Sequence, residues 1–561
     1  MNFDLPPTGT ELSPAFVNAV ACKAWLSKVP LANSVQAQSM FLRQLNLLHR
    51  FALPPTERFA ILEALHRPLS EVQEDAAKRF AGKPLPLAPH EQAALESNLG
   101  VWHMLALGYL RCFVALSCGN AGITSLPALL EERTVIAGNA DLAARTATLA
   151  QRTLSVFADW QVDLCRGQQL PDASYWKKLH QIFSAAETLG IAGRAVSDPV
   201  RHGNVSSSAL AAYAECNLLS TANPYELPAR HLTWVARWAR RWGAKLSLLT
   251  APPEDIRNRA VPLWVDLESD RPASFLPQSL HGSRWLETTE LRKSLLARIT
   301  LLENGRAPAE LQLGDDVTQP AAGQLLQQVL QRWCKGGAKR SHARRPASGG
   351  CSVIAGFEAV HYHLSGRQAF RAPSRDDATL RREREEFETF GDRSHRSGST
   401  GGDEGDSKLE HWKIMDDWRL ADESIAGMRI TRPLKKGVRV GAGLLIAVKT
   451  PDSHHFALGN LRWALREGDD VLAAGIQMFR GEARPVAVRP VESDGSSSVY
   501  RQGFLLPEIT ALGEPASVIV AAGTFRIDRN IEMMVDQEVK AFKLARVLDR
   551  GIEFERCTIH V

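Results

Sequence analysis

Asp422, Ser424 and Gly427, in the stretch DESIAGMRI, are the residues whose types and spacing best suit a binding chemistry. In an extended strand, side chains at i and i+2 point to the same face. Asp422 and Ser424 would therefore aim together at whatever lies there. A carboxylate acceptor beside a hydroxyl suits a ligand edge rich in N–H donors, such as the N1–H and N2–H₂ edge of guanine. Gly427 would let the backbone turn with positive φ or let a ligand come close. The same residues could instead make local hydrogen bonds at a strand-to-turn corner. The fragment alone leaves both readings open.

A phosphodiester on that face would want fixed cations, and guanidinium forks serve phosphate better than lysine does. Arg340 and Arg344, in RSHAR, form an Arg-x-x-x-Arg pair. The spacing is common in this chain: it recurs at Arg237/Arg241, Arg367/Arg371, Arg371/Arg375, Arg462/Arg466, Arg480/Arg484 and Arg546/Arg550. Its setting distinguishes the first pair, a basic loop running into a strand, followed later by Asp-x-Ser-x-x-Gly and a run of short strands.

The elements that must position these residues divide the chain into four parts. Residues 1–220 read as helix after helix, with apolar residues at about 3.6-residue spacing in SVQAQSMFLRQLNLLHRFA and SYWKKLHQIFSAAETLG. They predict an all-α bundle. Residues 221–335 predict a small mixed α/β or linker domain, with KLSLLTAP and AVPLWVDLES as strands. Its helix PYELPARHLTWVARWARRWG should pack tryptophans inward and solvate its arginines. Residues 336–492 predict an antiparallel β-barrel, interrupted at 367–409 by a charged, Gly/Ser-rich insertion expected to be disordered. Residues 493–561 predict a β-rich C-terminal extension. The fold class is therefore multidomain α+β.

The order RSHAR, WRLADESIAGMRI, VRVGAGLLIAV, LGNLRWAL and AAGIQMF resembles the PilZ domain, a bacterial receptor module for cyclic di-GMP. The resemblance covers roughly residues 337–492. In that family two arginines on a flexible loop close over the ligand, and the Asp-x-Ser-x-x-Gly residues lie opposite on the barrel. Carried over by position, it makes Arg340, Arg344, Asp422, Ser424 and Gly427 the expected cyclic di-GMP contacts. A bidentate arginine can match the N7 and O6 acceptors of guanine. The helical half resembles that of large bacterial PilZ proteins and would serve as the output, a surface for an unidentified protein partner. The alternative is a PilZ-like interaction module that binds no nucleotide.

Composition and the remaining motifs exclude other classes. The chain has 561 residues, 44% hydrophobic and 23% charged, the balance of a soluble protein. A net charge of +5 over that length does not argue for nucleic acid. The arginine-rich stretch after residue 337 is interleaved with REREEFE and GDEGD, which weakens a nucleic-acid reading further. Eight cysteines lack metal-ligand spacing and read as buried thiols of a reducing, cytoplasmic compartment. The apolar run from Val101 to Gly119 is interrupted by His103 and Arg111, and reads as a buried helix rather than a membrane span. His361 and His363 fall on one face of an expected strand, without an evident third metal ligand. No nucleophile elbow, Walker loop or zinc-protease motif appears. The expectation is a binding protein with no catalytic residues, no metal and no cofactor.

Overall fold

The structure, a computed structural model, describes residues 3, 5, 7–9, 13–117, 125–253, 259–278, 282–337, 344–373, 415–468, 470–491, 499–536 and 538–560. The chain forms two compact units, residues 1–83 with 87–340, and 84–86 with 341–561.

In the first unit, side-chain caps start the helices. Asn33, Asn139, Asp172 and Ser208 each accept a hydrogen bond from the backbone N–H three residues on. The helix Pro89–Ser117 is the one described helix long and apolar enough to cross a membrane. Its Val101, Leu105, Tyr109, Leu110 and Phe113 are buried against helices Ser34–Arg50, Pro55–Ala77 and Ala140–Arg166. The seven described cysteines are buried free thiols. Burial pushes Cys22, Cys112 and Cys165 up to about 12.

The mixed region places strand Ser283–Glu287 between Ser247–Leu249 and Leu263–Asp266 in an antiparallel sheet. Its apolar residues continue the same core as the helices, from Phe3 to Cys334. Trp234, Trp238 and Trp242 are spaced one turn apart on helix Ala229–Trp242 and are all buried, as their spacing predicts. The arginines on that helix are bound rather than merely solvated. Arg237 pairs with Asp316 at 2.6 Å, and Arg240 with Asp159 at 2.7 Å. A buried ionic cluster lies behind them. Arg201, only 2% exposed, reaches Asp159 at 3.0 Å and Glu215 at 2.9 Å. A second cluster joins Arg152 to Glu63 at 2.9 Å and to Asp198 at 3.3 Å.

The second unit holds two closed six-stranded antiparallel barrels. The first comprises β1 (Gly350–Ala355), β2 (Asp416–Ser424), β3 (Gly427–Pro433), β4 (Leu445–Lys449), β5 (Ala457–Glu467) and β6 (Val471–Met478). Around the ring the order is β1-β2-β3-β6-β5-β4 and back to β1. The second comprises β7 (Arg484–Pro490), β8 (Arg501–Leu506), β9 (Ser517–Ala521), β10 (Asn530–Val535), β11 (Glu538–Arg550) and β12 (Phe554–His560). Its order is β7-β8-β9-β12-β11-β10, the same ring with each number raised by six. The barrels share apolar packing in which Ile354, Leu445 and Leu458 meet Phe504, Ile519 and Phe554. Ile552 also donates a backbone hydrogen bond to the Gly443 carbonyl at 2.8 Å.

Two sequence readings change here. The strand Arg484–Pro490, read as part of the first barrel, pairs with β8 and β10 and opens the second. Residues 357–364, read as strand, form a helix, so His361 and His363 do not share a strand face. Gly356, at φ +100°, turns the chain after β1. Phe357 and Val360, spaced at helical rather than strand period, then bury one side. His361 packs on Phe504, and burial lowers its pKa. Among the described residues no group of three or more His, Cys, Asp or Glu is arranged to hold a metal. Of the charged insertion at 367–409, residues 374–409 lie outside the described residues.

Candidate functional site

The site is built on the β2–β3 hairpin. Ser424 pairs with Gly427 across it, leaving Ile425 and Ala426 as the turn. Ser424 Oγ donates to the Gly427 carbonyl at 3.1 Å, so this hydroxyl stabilises the corner. Gly427 is not at positive φ. Its glycine is required by proximity, since a Cβ there would lie 2.5 Å from the Ile476 carbonyl on β6. The hairpin tip is tied to the same strand by Met478 N–H donating to the Ala426 carbonyl at 3.0 Å.

A β-bulge decides which way Asp422 faces. Leu420 pairs with buried Ile430, whereas the next pair is Asp422 with Arg429, leaving Ala421 extra. By simple alternation Asp422 would share the core face of Trp418, which is 2% exposed. The added residue reverses that parity and turns the carboxylate outward.

The arginine segment lies against this face. Arg345 and Pro346 form a short strand in register with Glu423 and Asp422. Ala347 N–H donates to the Ala421 carbonyl at 3.2 Å. Arg344, just before that strand, donates from Nη1 to Asp422 Oδ1 at 2.7 Å. The two side chains are 33% and 22% exposed, so the pair is accessible. The structure thus brings together Arg344, Asp422, Ser424 and Gly427. Arg340 lies outside the described residues.

Sequence reasoning missed two cations beside the site. Arg345 follows Arg344 directly and is exposed. Arg429 stands opposite Asp422 and donates to both oxygens of Glu467, at 2.5 and 2.7 Å. Their signal was a third arginine in RSHARR and the arginine two residues after Gly427. The assembled surface carries guanidinium groups for phosphate oxygens and a carboxylate able to accept from N–H donors.

Three family models match the chain in order, those of the N-terminal domain, the middle PilZ domain and the C-terminal β-barrel domain of the cyclic-di-GMP receptor FimW. They cover residues 20–254, 263–417 and 486–561. The chain belongs to the PilZ proteins with a helical N-terminal half. The match to the middle PilZ domain ends within β2, five residues before Asp422. The C-terminal match covers nearly all of the second barrel. The chain is also similar to the cyclic-di-GMP receptor FimW of Pseudomonas aeruginosa PAO1. It is 23% identical to that protein, with 96% of this chain and 90% of that protein covered.

Proposed function

We propose that this chain is a cytoplasmic cyclic di-GMP effector, with the arginine segment and the β2–β3 face of the first barrel as its sensor. The observation that carries the reading is the Arg344–Asp422 pair, held at 2.7 Å beside the Ser424–Gly427 corner. The similar receptor's name supplies the ligand class. Binding is an exchange of partners. Without ligand, Asp422 holds Arg344. With ligand, a phosphate takes the guanidinium and Asp422 turns to a guanine N–H edge. By the resemblance, Arg340 would add a second guanidinium. Arg344 sits just after residue 340, where the chain passes from one compact unit to the other. Repositioning this segment would bias a partner-binding surface on the helical half. A ligand shifts such an equilibrium only by its differential affinity for the two states. Binding and relay need no catalytic residue, metal or cofactor.

Asp422→Ala tests the exchange by its sign. The substitution frees Arg344 and makes the site more positive, so a generic anion patch would bind cyclic di-GMP more tightly. The proposed site loses its acceptor for the guanine edge, and binding should weaken at least tenfold in an equilibrium titration. Tighter binding by the variant would sink the assignment of Asp422.

A further inference from the structure

We infer that the second barrel carries a second site for a purine-bearing phosphodiester, built from Arg480, Arg484, Glu508 and Thr510. The inference rests on the proposed reading of the first barrel as a cyclic di-GMP site.

Both barrels close in the same ring order, so positions in one have counterparts in the other. In the first, an Arg-x-x-x-Arg pair precedes the first strand and Asp-x-Ser-x-x-Gly spans the connection from second to third strand. In the second, Arg480 and Arg484 form Arg-x-x-x-Arg, and Arg484 is the first residue of β7. The β8–β9 connection, residues 507–516, carries Glu508-x-Thr510-x-x-Gly513. Carboxylate, hydroxyl and glycine recur at the same spacing, with glutamate for aspartate and threonine for serine. Arg-x-x-x-Arg spacing is common in this chain and means little alone. Arg344 lies six residues before β1 and Arg484 is the first residue of β7, so each pair leads into the first strand of its barrel.

The arginine segment also lies against the second motif. Arg480 Nη1 is 3.5 Å from Glu514 Oε1, the residue after Gly513. A Cβ on Gly481 would sit 3.3 Å from Ile509 Cδ1, between Glu508 and Thr510. Arg484 pairs in register with Leu505, three residues before Glu508. Arg484, Glu508 and Thr510 are all exposed. In each barrel, then, an arginine of the leading pair is ion-paired to a carboxylate at the connection between second and third strands.

The sites differ in how firmly that arginine is held. The β2–β3 turn is two residues, whereas residues 507–516 make a longer loop in which Gly513 takes φ +64°. Glu514 has no counterpart inside the first motif, and its other oxygen lies 3.7 Å from Arg556. An incoming phosphate must displace Glu514 from Arg480, so the second site is the weaker.

The test is a calorimetric titration of the full chain with cyclic di-GMP, comparing wild type, Arg344→Ala, Arg484→Ala and Glu514→Gln. Melting curves check that each variant is folded. The expected wild-type isotherm has a tight and a weak phase. Arg344→Ala should lose the tight phase and keep the weak one, and Arg484→Ala should do the reverse. Glu514→Gln should strengthen the weak phase several-fold by releasing Arg480. A single phase that Arg344→Ala abolishes, and that neither second-barrel variant alters, overturns this inference and leaves the proposed function standing. Absence of binding in every protein overturns both.

Discussion

Arg344→Ala is expected to raise the dissociation constant for cyclic di-GMP at the first barrel at least thirtyfold with little change in stability. Arg344 lies at the edge of the barrel, 33% exposed, and its ion pair among the described residues is the contact with Asp422 at 2.7 Å. Exposed pairs of this kind contribute about 0–1 kcal/mol to folding, because solvent screens them and two side chains must be ordered. Hydrogen bonds to a charged ligand are worth more, about 1.5–3 kcal/mol. A loss of about 2 kcal/mol corresponds to roughly a thirtyfold change in affinity. Arg546→Ala is the control, since Arg546 lies on β11 of the other barrel and outside both proposed sites. Equal weakening by the two variants would mean that general positive charge, and not this arginine, binds the ligand.

The largest stability effect is expected in the helical unit, from Arg201→Ala. The Arg201 side chain is 2% exposed and bridges Asp159, 13% exposed, and Glu215, 3% exposed. Burial pushes Asp159 up, but Arg201 and Arg240 outweigh it and hold this carboxyl below its ordinary range. Removing Arg201 leaves two buried carboxylates sharing Arg240, itself 30% exposed. Breaking a buried pair from one side costs about 3–5 kcal/mol. The pH dependence has a definite sign. With a depressed pKa in the wild type, Asp159 adds stability above its unfolded-state pKa, and that stability is lost as pH falls through its folded value. In the variant the same carboxyl is destabilising when charged and is relieved by protonation. The gap between the two proteins should therefore be widest near neutral pH and narrow in acid. Denaturant unfolding followed at the helical circular-dichroism band reads the effect. Arg306→Ala should lie within about 0.5 kcal/mol of wild type, because its pair with Glu310 is solvent-exposed. Equal melts for the two variants would contradict the buried-cluster account.

How much of this was legible depended on whether neighbours along the chain or across the sheet decide the outcome. The hairpin DESIAGMRI could be read because two strands meeting at a two-residue turn are a local pattern. The outward direction of Asp422 came from a bulge at Ala421, which only cross-strand register reveals. Gly427 could be read as a positive-φ turn glycine, but it is not at positive φ, and a β6 carbonyl about fifty residues away in sequence leaves no room for a Cβ. The HYH pattern imitated strand alternation, but Gly356 and the apolar pair Phe357 and Val360 set a helix instead. The second barrel read as an extension because Arg484–Pro490 continues the spacing of the preceding strands. Its pairing with β8 and β10 requires contacts that strand spacing does not encode. The helical half was read from its apolar period. Its ionic clusters were not, since Arg201, Asp159 and Glu215 are separated by tens of residues and meet only in the packed bundle.

A calorimetric titration of the purified full chain with cyclic di-GMP bears most directly on the central proposal. The expected result is saturable binding whose tightest phase, with a dissociation constant in the micromolar range or below, on the order of −8 kcal/mol, is lost in Arg344→Ala. A flat isotherm at tens of micromolar nucleotide, from protein shown to be folded by its thermal transition, would contradict the account and leave the barrel as an interaction module without nucleotide.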